Sequence, residues 1–163
     1  MKKKIIGIIV VAVVALLALI IYIKFFPREF KVGNDEIALR IQLDIDEDIG
    51  LLVYDYTIDG HDYSGGTSNA DKSKIKHNDE IIEVWDREML TQDSEKEDKS
   101  DSFQWRIRFR IITDYVDPNF ENVYPEEITC YLDPIEWTAT IGHEYKFTIT
   151  GNKKDGYGVE LRE

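Results

Sequence analysis

An all-β domain behind a single N-terminal apolar helix is the fold class that this sequence predicts, and three observations carry it. Residues Ile5 to Ile23 hold no charged side chain. Beyond Phe26, apolar residues recur at every second position rather than every third or fourth, which is the period of a strand with one face buried. Clusters of Gly, Pro, Asn and Asp interrupt those runs at short intervals, as the turns of a sandwich require.

The helix comes first. Its 19 residues, at about 1.5 Å each, give roughly 28 Å, the depth of a bilayer core. Tyr22, Phe25 and Phe26 stand at one end as an interfacial aromatic belt, and Pro27 ends the helix. A cleaved signal peptide shares the basic start, but its apolar region is shorter and closes on small residues, whereas Lys24, Phe25, Phe26, Pro27 and Arg28 follow here. No Cys follows the apolar run to accept a lipid, and Gly7 is the single glycine of the span, so no G-x-x-x-G pairing motif exists. Lys2, Lys3 and Lys4 precede the span and Lys24, Arg28 and Lys31 follow it. The contiguous first group places the N-terminus inside and the remainder outside. The expected organisation is a cytoplasmic basic tail (1–4), a transmembrane anchor (5–26), a short linker (27–35) and an extracytoplasmic domain (36–163).

Charge divides the chain at the same place. Residues 1–31 carry six Lys or Arg against one acid, and residues 32–163 carry 14 basic and 31 acidic side chains, a net of −17. That sign excludes nucleic acid and disfavours anionic lipid, both of which need cations to displace counterions. The single cysteine, Cys130, rules out an internal disulfide, and a domain of this length buries enough surface to fold without one.

Along the domain, Ile37, Leu39, Ile41, Leu43 and Ile45 alternate with polar residues as one strand, and Ile49 to Ile58 forms a second. Asp46, Glu47 and Asp48 between them read as a hairpin turn, and Asp59-Gly60 reads as the next. The polar, glycine-bearing run His61 to Asp79 reads as a long loop, and the charged run Thr91 to Asp101 as a solvated excursion. Ile81 to Trp85 begins a strand. The clearest alternation is Phe103, Trp105, Ile107, Phe109 and Ile111 against Gln104, Arg106, Arg108 and Arg110. Ile128 to Leu132, Ile135 to Ile141, Tyr145 to Thr150 and Tyr157 to Leu161 complete the set. The result is an antiparallel sandwich of seven or eight strands, with the immunoglobulin-like arrangement as one form of it.

Candidate chemistry is sparse. Asp44, Asp46, Asp48 and Asp55 follow the D-x-D-x-D spacing of a calcium loop, but Ile49 stands where that loop needs glycine and both flanks are strands. Alternation puts Asp44 and Asp46 on a solvent face, which favours a charged hairpin tip over a calcium loop. His61, His77 and His143 lack the short fixed spacing of zinc ligands. Ser64 beside Gly65 and Gly66 forms no nucleophile elbow. Cys130 alternates with Ile128 and Leu132, as a buried inert thiol does, with an intermolecular disulfide as the alternative. The row Arg106, Arg108 and Arg110 puts three cations on one face of a strand in an acidic domain. It suits carboxylate or phosphate on an acidic peptide or an anionic envelope polymer, unless neighbouring acids such as Glu83 or Asp86 neutralise it. The functional expectation is a non-catalytic binding module at the cell surface, with a membrane-anchored envelope hydrolase as the alternative.

Overall fold

A computed structural model of the chain describes residues 30–92, 100–114 and 125–162, together with residues 13, 15 and 16. The chain divides into Met1–Lys31 and Val32–Glu163. In the first unit Val13, Ala15 and Leu16 are helical, and the rest of the expected anchor lies outside the described residues. Among the described residues no helix is long and apolar enough to cross a membrane.

The second unit is all-β. Nine strands, β1 (Glu36–Ile45), β2 (Leu51–Ile58), β3 (His61–Thr67), β4 (Glu80–Asp86), β5 (Ser102–Ile112), β6 (Thr129–Tyr131), β7 (Ile135–Thr140), β8 (Glu144–Asn152) and β9 (Gly156–Arg162), stand among the described residues. They form two sheets, one in the order β4-β1-β8-β9 and one in the order β3-β2-β5-β6, with β7 also paired to β5. A single helical turn, α1 (Arg87–Thr91), follows β4, capped by the Asp86 carboxylate accepting from the Met89 amide at 2.8 Å.

The alternation read from the sequence settles which side chains face inward. Ile37, Leu39, Ile41, Leu43 and Ile45 of β1 and Phe103, Trp105, Ile107, Phe109 and Ile111 of β5 are all buried. They meet in one core shared by both sheets. Rings cross between the sheets: Phe109 of β5 meets Phe147 of β8 edge-on at 5.4 Å, and Trp105 of β5 meets Trp85 of β4 edge-on at 5.1 Å.

The pairing departs from expectation in four places. Asp46, Glu47 and Asp48 do not turn a hairpin, because β1 and β2 lie in different sheets and the triplet carries the chain from one to the other. Two adjacent apolar runs specify which faces are buried, and not whether the runs pair with each other. Secondly, β1 pairs parallel with β8, from Ala38 with Glu144 to Ile45 with Gly151, so the domain is not wholly antiparallel. Thirdly, the start of the expected loop at His61 is strand β3. Asp59 and Gly60 both have positive φ, 48° and 89°, so the two-residue turn matches strand twist and aligns His61 with Ile58. Gly65 lets the Tyr54 ring lie over the strand, since a Cβ there would come within 2.4 Å of the ring. Finally, the edge of β5 is divided, with β7 on Ser102 to Ile107 and β6 on Arg110 to Ile112. Asp133-Pro134 marks the break, as the sequence indicated, and it is β3 that raises the count from eight strands to nine.

On the outer face of the first sheet, Arg40 of β1 ties three strands together. Its Nε and Nη2 donate to the two oxygens of Glu144 at 2.8 and 2.9 Å, and Nη1 reaches Glu80 of β4. The Arg40 hydrogen bond holds the Glu144 carboxyl below its ordinary value of 4.5. A folded value below the unfolded one stabilises the fold above the unfolded value and ceases to do so as pH falls through the folded one. Acidification through and below the ordinary value of 4.5 is therefore expected to lower the thermal midpoint. Arg40→Leu should flatten that fall, and a wild-type acid slope in the variant would refute the link.

Candidate functional site

The outer face of the second sheet carries the arginine row. Because β5 alternates strictly, Arg106, Arg108 and Arg110 point away from the core, about 7 Å apart along the strand. Across the sheet, Thr57 and Asp55 of β2 stand opposite Arg106 and Arg108, and Asp62 and Ser64 of β3 stand beyond them. Glu136 of β7 stands opposite Arg106 on the other side.

The three arginines are not equivalent. Arg110 is the most covered, with 14% of its side chain exposed, and its Nη2 donates to Asp55 Oδ1 at 2.8 Å. Its guanidinium also lies 6.0 Å from the centre of the Tyr131 ring. Arg106 Nε meets Glu136 Oε1 at 3.2 Å across an exposed pair, a contact of about 0 to 1 kcal/mol that a ligand can displace. Arg108 has no ion pair among the described residues. Asp55 is its partner in strand register, yet the carboxylate turns to the more sheltered Arg110 and accepts the Ser64 hydroxyl at 2.8 Å as well. An ion pair gains more where water is partly excluded, so Asp55 serves Arg110 and leaves Arg108 open.

Glu83 and Asp86 do not neutralise the row. Both belong to β4 in the other sheet, where Glu83 accepts the Thr67 hydroxyl at 2.5 Å and Asp86 caps α1. Among the described residues, Asp55 pairs with Arg110 and Glu136 with Arg106. Glu136 carried no signal in the sequence, because the pairing of β7 with β5 is not a local property. Asp62 could have been found by running the register back from the Asp59-Gly60 turn.

A shallow cavity of about 300 Å³ opens over this face, lined by Asp55, Tyr56, Thr57, Asp62, Tyr63, Arg106 and Arg108. A larger one, about 490 Å³, lies at the end of the domain where the β1–β2 and β8–β9 connections meet. Its carboxylates are engaged. Asp46 accepts from Asn152 Nδ2 at 2.8 Å, Glu47 accepts from the Lys153 amide at 2.6 Å and from the Tyr157 hydroxyl, and Lys74 lies 3.1 Å from Asp114.

The four aspartates of the calcium spacing are dispersed. Asp44 is exposed on β1, Asp46 is bonded to Asn152, and Asp55 sits in the other sheet. Asp48 is held by Lys76 at 2.7 Å and His77 at 2.9 Å, hydrogen bonds that keep its carboxyl well below the usual range. Among the described residues no group of three or more His, Cys, Asp and Glu is placed to hold a metal ion. The histidines do not converge: His61 opens β3, His77 meets Asp48, and His143 Nδ1 lies 3.2 Å from the Ile141 carbonyl. Cys130 is half-buried rather than buried, and burial pushes its thiol up.

No family model matches this chain, and no curated protein matches it. Among solved structures, it is similar to the membrane-binding domain of pneumolysin at 8% identity and a TM-score of 0.34, over 78% of this chain and 96% of that one. A likeness that loose bears on neither fold nor function.

Proposed function

We propose that the chain is a single-pass membrane protein, anchored by residues 5–26 with its N-terminus in the cytoplasm, whose β domain is an extracytoplasmic, non-catalytic binding module of the immunoglobulin-like sandwich kind. Its outer β5 face engages an anionic group of a cell-surface partner, with Arg108 as the anchor and Arg106 beside it. The observation that carries the reading is Arg108. In a domain with 31 acids against 14 bases, an arginine between two carboxylate-bearing strands has no carboxylate of its own among the described residues. A guanidinium offers paired donors to an incoming carboxylate or phosphate, and that binding leaves no internal ion pair to be broken first.

The test is Arg108→Glu in the full chain, compared with wild type in pull-downs from solubilised membranes. The variant is expected to keep the wild-type unfolding midpoint, because the replaced side chain is exposed, and to lose at least one partner. An unchanged set of partners would overturn the reading. Protease added outside intact cells is expected to cleave residues 32–163, and protection of that segment beside a cleaved exported control would overturn the topology.

A further inference from the structure

The charges around Arg108 say what kind of anion this face accepts. Reading across the strands in register, Glu136, Arg106, Thr57 and Asp62 form one row, and Arg108, Asp55 and Ser64 form the next. Strands lie about 4.8 Å apart, so Glu136 stands one strand from the arginines and Asp62 two, at about 10 Å. The first distance lies well within the Debye length of about 8 to 10 Å at ordinary ionic strength and the second is comparable to it, so the carboxylates act on any ligand seated over the arginines. Asp62, like Arg108, has no ion pair among the described residues. The pattern is therefore a cationic centre with anionic flanks, in a domain of net −17.

A polyanion laid over such a face meets Arg106 and Arg108 at its centre and repulsion on both sides. A lone carboxylate with a cation on each side meets opposite charge throughout. We propose that this face docks a protein segment of alternating charge, in which one Asp or Glu sits between two Lys or Arg, and that it rejects polyanionic polymers. An extended peptide carries same-side residues about 7 Å apart, so an acid at one position and bases two residues before and after it span the arginines and reach towards Glu136 and Asp62. The inference rests on the reading of Arg108 as an anion seat and adds the charge pattern of the partner.

Two end-blocked peptides, Lys-Thr-Glu-Thr-Lys and Glu-Thr-Glu-Thr-Glu, titrated into the full chain in nanodiscs of neutral lipid, test it, with the arginine Nε–H resonances as the readout. The mixed-charge peptide is expected to shift the Arg108 resonance, to bind at least tenfold more tightly than the all-acid one, and to lose that binding in Arg108→Glu. The double variant Asp62→Lys, Glu136→Lys should reverse the preference. Equal or tighter binding of the all-acid peptide to wild type would overturn the inference while leaving the anion seat standing. Failure of both peptides to bind would also overturn it, and the pull-down with Arg108→Glu then decides the seat by itself.

Discussion

Phe109→Ala is expected to cost about 3 to 5 kcal/mol of stability, the range for removing a fully buried aromatic ring. Phe109 has no exposed surface, and it is not backed by its own sheet alone, since its ring meets Phe147 of the opposite sheet edge-on. Its own strand is fastened on both edges, with Tyr54 opposite in β2 and the Leu132 amide donating to the Phe109 carbonyl at 3.0 Å. The backbone therefore cannot close over the space, and the lost transfer energy is joined by the cost of an unfilled cavity. A domain of this size has about 5 to 15 kcal/mol in total, so the loss is a large fraction of it. Urea unfolding should show a lower midpoint with an unchanged slope. Phe109→Leu should cost about 1 to 2 kcal/mol. A loss below about 1 kcal/mol for the alanine variant would mean that the ring does not join the two sheets.

Gly151→Ala is expected to be strongly destabilising, more so than alanine at the other positive-φ glycine of the β8–β9 hairpin. Gly151 has φ +99°, and a Cβ there would come within 2.2 Å of the Gly156 carbonyl oxygen and 3.2 Å of the Tyr157 Cα. Both are backbone atoms of the paired strand, so no side chain can swing aside. The backbone conformation alone costs a non-glycine residue about 1 to 3 kcal/mol, and the clash adds to it. Gly156 separates the two terms, because its φ is +96° and a Cβ at that position would meet nothing within 4 Å. Gly156→Ala should show the conformational cost alone. Thermal unfolding of both variants, with amide exchange across the hairpin, checks the difference, and equal losses would remove the steric contribution.

Local patterning made much of the domain legible. The alternation of β1 and β5 named the inward faces correctly, since a strand with one buried face needs apolar residues at every second position whatever its partners are. Asp59-Gly60 read correctly as a tight turn, because left-handed backbone favours those residues. The arginine row was visible for the same reason as the core, being the other half of the β5 alternation.

What stayed hidden is whatever depends on strand partners. His61 to Thr67 has no apolar period, and it is a strand because the preceding turn and the Tyr54 ring over Gly65 hold it there. Cys130 read as buried, but β6 is too short to be covered fully and leaves the thiol half-exposed. The aspartate spacing suggested one cation loop, whereas the change of sheet after Asp46 to Asp48 separates Asp55 from the others.

The acidic charge, the absence of an internal disulfide, the all-β class and the outward placement of Arg106, Arg108 and Arg110 were all readable from the order of residues. They follow from composition and from a two-residue period, which are properties of single segments. That Arg110 takes Asp55, that Arg106 takes Glu136, and that Arg108 has no ion pair among the described residues came from the folded arrangement alone. An ion pair depends on which strands lie side by side and on how far each charge is shielded from water, and neither is written in any one segment.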